Sequence, residues 1–344
     1  MLKYPNIKEQ ERKTMATPSF FDYAMADQDK KKTRAFLEEM KAYIPYERLE
    51  TLLIEEGVYR PKREDLGGRP PYPSSVLLGA LFLQAWYGLS DPMTEELIHD
   101  RLSFRKFLDI RSDDDIPDET TICKFRNALM DKMLFDRIFE EVNKVMKERG
   151  LILKEGSHID ATLIHSSEPK RNKDDQGKVV SNKAADEDAS YTYKRGRKYH
   201  GFKLHINSDR HGMIKKATTT TAKDSDIKEL DHLIEGEEQY VTTDSAYMSK
   251  ANKRKFRQQG IINGIIERRV RGQRSLRTKQ TKHNRHFAAV RSIVELPFAF
   301  IKHLMHYTRT RFLGLEKNDQ YHLLLAAAYN LKRAPGVQRK VATG

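Results

Sequence analysis

The sequence has little of what a secreted, disulfide-bonded or membrane-spanning protein needs. Its 344 residues include a single cysteine, Cys123, so neither an intramolecular disulfide nor a cysteine-rich zinc site is expected. The most apolar run, at 76–89, is too short to cross a bilayer. The first residues lack the continuous apolar stretch of a secretory signal. We therefore expect a soluble, cytoplasmic protein without a membrane partner.

Several catalytic signatures are missing as well. No glycine-rich phosphate loop followed by Lys-Ser or Lys-Thr occurs, so neither a nucleotide-driven motor nor a nucleotide cofactor is expected. There is no Gly-x-Ser-x-Gly nucleophile elbow. Histidines cluster at 158, 165, 200 and 205, but no pair has the helical His-x-x-x-His spacing of a zinc site.

What the chain has in excess is positive charge. It carries 63 Lys and Arg against 49 Asp and Glu, a net charge of +14. This balance favours a polyanionic partner, although a merely soluble basic protein would share it. The segment 251–285 is more informative, because twelve Lys and Arg accompany a single Glu there. We expect this segment to contact phosphates, with Arg268, Arg269 and Arg271 as candidates.

Changes in hydrophobic periodicity divide the chain. Residues 1–29 are polar and are expected to be loose. Residues 30–150 repeat apolar side chains at helical spacing, which predicts an all-helical domain, either a helix-turn-helix-like DNA module or another small bundle. Residues 151–335 form a second domain, followed by a tail at 336–344. The polar stretch 168–198, with nine Lys or Arg and six Asp or Glu, is expected to be a mobile insertion.

Beyond residue 150 the apolar period changes from helical to alternating. Strands are predicted at 157–165, 199–207, 213–220, 239–243 and 261–266. Helices are predicted at 227–234, 250–258, 284–305 and 319–332. An antiparallel meander followed by alternating helices and parallel strands indicates an α/β, ribonuclease-H-like fold, with a mixed five-stranded sheet flanked by helices.

Three carboxylates occupy positions that solvation alone does not explain. Asp160 interrupts an apolar strand, where a carboxylate is costly to bury without a partner. Asp244 follows the fourth strand, at the kind of strand end where open α/β sheets bind ligands. Glu295 shares one helix face with Arg291 and Lys302. Taken singly, each acid also has a structural interpretation, as a satisfied core aspartate, a helix N-cap and a helix ion pair, respectively.

Together the three acids fit phosphoryl transfer on DNA. Two divalent metals about 3.5–4 Å apart can neutralise the attacking and leaving oxygens. Hard Mg²⁺ prefers carboxylate oxygens, so a few acids on rigid elements would suffice. Asp226 is a competing acid, which we interpret chiefly as a helix cap.

Several motifs resemble those of a known family over roughly residues 18–332. They are Arg-Pro-Pro-Tyr-Pro at 69–73, Trp-Tyr-Gly-Leu-Ser-Asp-Pro at 86–92, Ile-Pro-Asp-Glu-Thr-Thr at 116–121, Arg-Gly-Arg-Lys-Tyr-His at 195–200, Gly-Glu-Glu at 236–238, and Val-Glu-Leu-Pro-Phe at 294–298 with Lys302. In these motifs the chain resembles the DDE transposases of bacterial insertion sequences, of the type encoded by insertion sequence five.

The resemblance implies that Asp160, Asp244 and Glu295 are a catalytic triad that holds Mg²⁺, with Mn²⁺ as a substitute. It implies a DNA transposase whose helical region binds the terminal inverted repeats of its element. The enzyme would cut at the transposon end, and the freed 3′-OH would attack target DNA. Processing two ends together predicts a homodimer or larger assembly on DNA, associated with the bacterial nucleoid.

The family also has a Tyr, Arg, Glu, Lys signature around the last acid. Arg291, Glu295 and Lys302 match it, but the tyrosine position holds Ala288, which affects tyrosine-dependent contacts and not the metal site. Arg291 and Lys302 would hold phosphates, or else form salt bridges on the helix surface. Lys203, on the second strand, is a weaker candidate for DNA contact.

Two other functions stay open at this point. A catalytically silent, domesticated DNA-binding protein would keep end recognition, although it would have no reason to keep all three acids. A metal-dependent nuclease of the same fold would cut without joining strands. Strand-transfer products would distinguish a transposase from such a nuclease.

Overall fold

The computed structural model describes residues 35–61, 70–111, 113–168, 171–173, 176, 179–181, 186–194 and 196–343. The segment 1–29, expected to be loose, lies outside these residues, as does Arg69 of the first family motif. In the part of the chain that is described, no helix is both long and apolar enough to cross a membrane.

The first part of the described chain is helical. Its helices are α1 (Ala35–Lys41), α2 (Tyr46–Glu55), α3 (Ser74–Tyr87), α4 (Asp91–Asp100), α5 (Leu102–Phe107), α6 (Glu119–Asp131) and α7 (Leu134–Glu148). α3 is apolar nearly all round and is buried, and it ends at Gly88, whose left-handed backbone (φ 66°) favours glycine. α4 begins where the Ser90 side chain accepts a hydrogen bond from the Met93 amide, with Pro92 in the first turn.

The later part of the chain is built on a mixed sheet. The described strands are β1 (Gly156–His165), β2 (Arg171–Lys173), β3 (Val179–Ser181), β4 (Ser190–Lys194), β5 (Arg197–Ser208), β6 (Ile214–Thr221), β7 (Tyr240–Thr243) and β8 (Ile262–Ile265). β5 is antiparallel to β1, β4 and β6, whereas β1, β7 and β8 are parallel to one another. β2 and β3 pair with each other outside the main sheet.

Helices cover both faces of this sheet. They are α8 (Leu230–Leu233), α9 (Lys250–Gln258), α10 (Thr278–Arg291), α11 (Glu295–Ala299) and α12 (Leu315–Thr343). Ile159 and Val241 pack with α8 and α9 on one face. On the other, Leu204 and Ile206 join a core that extends through α12 into the N-terminal helices. Trp86 Nε1 of α3 donates to the Ala328 carbonyl of α12 at 2.7 Å. The predicted ribonuclease-H-like α/β fold is confirmed.

The main sheet differs from expectation in having a sixth strand. The five predicted strands are all present, and β4 joins them from the stretch 168–198, which was expected to be a mobile insertion. β4 pairs with the first half of β5, from Ser190 opposite Gly201 to Lys194 opposite Arg197. The nearby Asp186 is only 3% exposed, so the end of the stretch is a packed element.

Two helix limits also differ from expectation. The helix expected at 284–305 begins at Thr278 and is broken by a 3₁₀ turn at Ser292–Val294. The last helix was expected at 319–332. It continues to Thr343, so 336–343 is helical where a tail was expected. Ala334, Pro335 and Val337 are buried, and this packing accompanies the extension.

Candidate active site

Strand register places Asp160 beside Asp244. β1 and β7 are parallel and pair Ile159 with Thr243, so the next residue along each strand is one of the two aspartates. Burial, with a smaller contribution from the Asp244 charge, raises the pKa of the Asp160 carboxyl to about 6. A divalent cation bound here would offset the Asp244 charge that disfavours the ionised form of Asp160.

In each aspartate, one carboxylate oxygen accepts a hydrogen bond from a nearby backbone amide. Asp160 Oδ1 accepts a hydrogen bond from the Ala161 amide at 2.8 Å. Asp244 Oδ1 accepts one from the Ala246 amide at 2.8 Å and so caps the 3₁₀ turn Ser245–Tyr247. The cap interpretation of Asp244 is therefore correct, but one oxygen is enough for it, and the second can face a ligand.

Arg291 links Asp160 to Glu295. Its Nη1 atom lies 2.9 Å from Asp160 Oδ2, and its Nη2 atom lies 3.6 Å from Glu295 Oε1. The junction of α10 and α11 thus lies across the middle of β1, where it brings the third acid towards the first. The Glu295 side chain is 63% exposed. It can therefore change rotamer without breaking any packing contact.

Lys302, about two helical turns after Glu295, approaches the same strand. Its Nζ atom donates to Thr162 Oγ1 at 2.6 Å. Thr162 lies two residues after Asp160 and therefore on the same face of β1. Burial, and then the charge of Lys194, lowers the pKa of the Lys302 ammonium. The sequence alone does not single out Thr162, although alternation along β1 places it next to Asp160.

Three of the predicted DNA contacts lie in the loop that follows β8. They are Arg268, Arg269 and Arg271, and all are exposed. Because β7 and β8 are parallel, this loop leaves the same edge of the sheet as Asp244. Glu267, the one acid of this basic tract, binds Lys253 and Gln280, each at 2.7 Å. It is therefore engaged next to the loop and leaves the arginine charges in excess.

The structure does not bring Lys203 to the acids. Lys203 pairs with Leu163 across the strands, whereas Asp160 pairs with Ile206, so alternation places the two side chains on opposite faces. Lys203 Nζ lies 2.7 Å from Asp226 Oδ1, in a half-buried ion pair. The cap interpretation of Asp226 is also wrong, because Ser225 is the N-cap residue of that 3₁₀ turn.

The donor chemistry of the acids fits a divalent cation. In the described ranges no group of three or more His, Cys, Asp and Glu side chains is already gathered closely enough to hold a metal. Asp160 and Asp244 nevertheless each follow a residue of the Ile159–Thr243 pair, so the register sets two carboxylate residues next to each other. Glu295 is exposed and reaches Asp160 only through Arg291. Hard cations such as Mg²⁺ take oxygen ligands of this kind.

This fold, with acids on a strand, a strand end and a helix, places the chain in the ribonuclease-H-like class. Family comparison then identifies it further. The transposase DDE domain matches residues 153–331, and a second transposase domain matches residues 25–128. The first match covers more than half of the chain, which therefore belongs to the DDE transposase family. The two domains together are typical of bacterial insertion-sequence transposases.

A solved structure is also similar to this chain. It is the piggyBac transposase in a synaptic complex with hairpin DNA, at 12% sequence identity and a TM-score of 0.42. The match covers 89% of this chain and 74% of that chain.

Proposed function

We propose that this protein is a DNA transposase that binds the terminal inverted repeats of its insertion sequence. It cleaves DNA at the transposon ends and transfers the ends to target DNA through Asp160, Asp244 and Glu295. The observation that carries the proposal is the parallel register of β1 and β7, which sets Asp160 beside Asp244. Arg291 adds the connection from Asp160 to Glu295.

Mg²⁺, or Mn²⁺ in its place, would be held by these three carboxylates. The bound cation supplies positive charge at the attacking and leaving oxygens and lowers the pKa of water. Asp160 would be a central ligand, because the register sets it next to Asp244 and Arg291 links it to Glu295. The pKa of about 6 at Asp160 leaves this group mostly ionised at neutral pH, as a metal ligand must be.

Two successive reactions would follow, cleavage and strand transfer, and each takes place at a single phosphorus atom. In the first, water attacks the phosphodiester at the transposon end, the bond from phosphorus to the 3′-oxygen breaks, and a 3′-OH is released. In the second, that 3′-OH attacks a target phosphodiester and displaces its 3′-oxygen. One phosphorus–oxygen bond forms for each that breaks, so no nucleotide hydrolysis is needed. Arg291 and Lys302 would orient the phosphates, because their donor groups lie beside the acids.

Recognition of DNA would be divided along the chain. The helical part, which matches a transposase domain at 25–128, would bind the inverted repeats. The arginine loop after β8 would hold the phosphate backbone near the acids. Joining both ends of an element requires two copies of the site, so we propose that the active form on DNA is a homodimer or larger assembly.

A strand-transfer assay tests the function. Labelled duplexes carrying the DNA that flanks the gene are incubated with Mg²⁺, a plasmid target and wild type, Asp160→Asn or Asp244→Asn, with a scrambled duplex as the sequence control. Glu237→Gln removes an exposed acid elsewhere and is the matched control variant. The proposal predicts end-specific nicks and joined products that only the two active-site variants lose.

Other results would lead to different conclusions. Specific binding by wild type with no cleavage in either Mg²⁺ or Mn²⁺ would indicate a silent DNA-binding protein. Cleavage without joining, or without preference for the flanking sequence, would indicate a nuclease. Equal cleavage by wild type and Asp244→Asn would show that the acid was wrongly chosen.

A further inference from the structure

A cavity lies against the last helix, away from the candidate active site. It has a volume of about 430 Å³ and is enclosed by α1, the turn that follows β5, and the C-terminal half of α12. Its charged lining consists of five lysines and arginines and one acid, namely Arg210, Lys332, Arg333, Arg339, Lys340 and Glu39. The three candidate acids are not among the described residues that line it. The proposed reaction therefore does not account for this cavity.

The cations of α12 gather around a glycine. Helical spacing places residues 332, 333, 336, 339 and 340 on one side of the helix, with Gly336 at the centre. A Cβ added at Gly336 would meet no described atom within 4 Å beyond the adjoining helix backbone. Glycine destabilises a helix interior relative to alanine, so helix stability does not explain its presence there. Its effect is to leave open space between the cations.

Lys332 is half-buried in this cavity without an acidic partner. Its Nζ atom lies over the ring of Phe36. Within the described ranges no carboxylate comes within ion-pair distance of it, and Glu39, the acid of the lining, binds Arg339 Nη1 at 3.0 Å. Burial, against a smaller effect of the Glu39 charge, lowers the pKa of the Lys332 ammonium to about 8. An anionic ligand would therefore supply the charge that this cation lacks.

Arg333 is held beside Lys332 by the turn after β5. Its Nε atom donates to the His211 carbonyl at 2.7 Å. Gly212 lies under the guanidinium with φ 72°, and a Cβ added there would come within 3.2 Å of the Nε atom. Within the described ranges the Nη atoms of Arg333 have no hydrogen bond, so they can donate to a ligand. The turn thus positions a cation at the cavity in a fixed orientation.

Aromatic rings supply an apolar wall to the same cavity. Phe300 and Tyr329 line it, edge to face, with their ring centroids 5.3 Å apart. The Tyr329 hydroxyl donates to the Gly212 carbonyl at 2.7 Å, which fixes the ring. Phe36 contributes a third ring. A free inorganic anion would use only the cations, whereas a ligand with a flat ring next to its phosphates would use both parts.

We propose that this cavity is a nucleotide-binding site, which takes a nucleoside diphosphate or triphosphate with its phosphates among the cations of α12 and its base against the aromatic rings. The volume lies in the usual range for small-molecule sites. The excess of cations matches a ligand with several phosphate charges. The absence of a glycine-rich phosphate loop does not exclude such a site, because side-chain cations here take the place of backbone amides.

The test measures binding of ADP that carries a fluorescent label on its ribose, by anisotropy, to the full-length protein without DNA or added metal. Lys332→Met removes one cation of the cavity. Gly336→Leu fills the open space and leaves the charge unchanged. Lys317→Met, which removes an exposed cation at the start of the same helix, is the matched control. Circular dichroism verifies that each variant is folded.

Lys332→Met and Gly336→Leu should each bind labelled ADP about 10- to 100-fold more weakly, the range for loss of one charged contact. Lys317→Met should bind it as wild type does. Unlabelled ADP should displace the label at a lower concentration than inorganic phosphate or adenosine, because each of these uses only one part of the cavity. Wild-type affinity in Gly336→Leu, an equal loss in Lys317→Met, or no binding by wild type would overturn the proposal.

DNA is another source of phosphates, and competition distinguishes it from a free nucleotide. A duplex of random sequence is added to the complex with labelled ADP. If the duplex displaces the label at a lower phosphate concentration than unlabelled ADP does, the cavity is a contact for the DNA backbone and the proposal is wrong. The proposed function is not at stake in this experiment, because neither cleavage nor joining of DNA is measured.

Discussion

The Arg291 guanidinium lies 2.9 Å from Asp160 Oδ2 and reaches Glu295 Oε1 at 3.6 Å. A cationic side chain thus stands between two of the acids that are proposed to hold a metal. Its charge lowers the pKa of Asp160 against the opposing effects of burial and Asp244. In this structure Arg291 compensates the charge of the acids. If the acids hold a metal as we propose, the metal would replace this contact and leave Arg291 to a phosphate.

Arg291→Ala should strengthen metal binding by the DNA-free protein. Removal of the competing cation leaves Asp160 and Glu295 to the metal, and we expect Mn²⁺ affinity to rise about tenfold. Electron paramagnetic resonance of free Mn²⁺ measures this directly. Arg291→Lys, which keeps the charge, should bind Mn²⁺ as wild type does. Weaker Mn²⁺ binding by Arg291→Ala would show that Arg291 supports the site and does not compete with metal.

Lys302→Met should weaken DNA binding mainly through phosphate contact. The loss of one cation at the phosphates should reduce the slope of log affinity against log salt by about 1. The control is Thr162→Val, which removes the hydroxyl that accepts the Lys302 hydrogen bond and leaves the charge in place. Fluorescence anisotropy over a salt series measures both variants. An unchanged slope in Lys302→Met would place Lys302 away from the DNA.

The buried ion pair between Lys215 of β6 and Glu238, just before β7, should make a large contribution to the stability of the fold. The side chains of Lys215 and Glu238 are fully buried, with Lys215 Nζ 3.5 Å from Glu238 Oε1 and 3.1 Å from Glu235 Oε2. Glu238→Gln removes the buried negative charge, and we expect a loss of about 3 kcal/mol of unfolding free energy. This is the low end of the usual range, because Lys215 retains Glu235.

The neighbouring acid gives the matched comparison for this prediction. Glu237 pairs with Lys154 at the surface, where both side chains are more than half exposed. Glu237→Gln should therefore cost much less unfolding free energy than Glu238→Gln. Urea unfolding of both variants measures the difference. Similar losses would mean that burial of the Lys215–Glu238 pair adds little to stability.

His322 should make stability depend on pH. Its Nδ1 atom lies 2.7 Å from Thr219 Oγ1, and burial lowers the pKa of the ring to about 3. The unfolded chain, whose histidine pKa is near 6.5, takes up a proton that the folded protein refuses. The stability contribution of neutral His322 is therefore complete above about pH 6.5. It falls as the pH drops towards 3, by about 1.4 kcal/mol per pH unit.

Other buried groups titrate over the same pH range, so the variant His322→Asn isolates this effect. Asn retains a hydrogen-bonding group near the Nδ1 position but does not titrate. Between pH 6.5 and 4.5, the unfolding free energy of wild type should fall more steeply than that of His322→Asn. Parallel pH profiles would show that His322 does not cause the pH dependence.

Regular alternation of side chains made most of the sheet predictable. β4 was harder to predict, because its short Tyr-Thr-Tyr alternation is surrounded by charged residues, as in a disordered stretch. The start of α10 also has an unusual signal. Gln280 Oε1 accepts a hydrogen bond from the Arg277 amide at 2.9 Å, but Arg277 stands at the N-cap, where Ser or Thr would normally mark a helix start.

Some contacts of the candidate site could be predicted from the sequence, whereas others depend on tertiary packing. Asp160 and Asp244 could be proposed as site residues because each is recognised from the apolar pattern of a single strand. The contact between Arg291 and Asp160 joins residues 131 positions apart and depends on how α10 packs across the sheet. The face of the sheet that Lys203 occupies likewise depends on the register of β1 against β5, which the sequence does not show.

We propose that Asp160, Asp244 and Glu295 together hold divalent metal. Cleavage by Fe²⁺ with ascorbate reports on this arrangement, because hydroxyl radicals formed at bound iron cut the polypeptide close to the metal. We expect fragments that end near all three acids, suppressed by excess Mg²⁺ and absent in Asp160→Asn and Asp244→Asn. Cleavage elsewhere in the chain, or the same fragments from wild type and both variants, would contradict it.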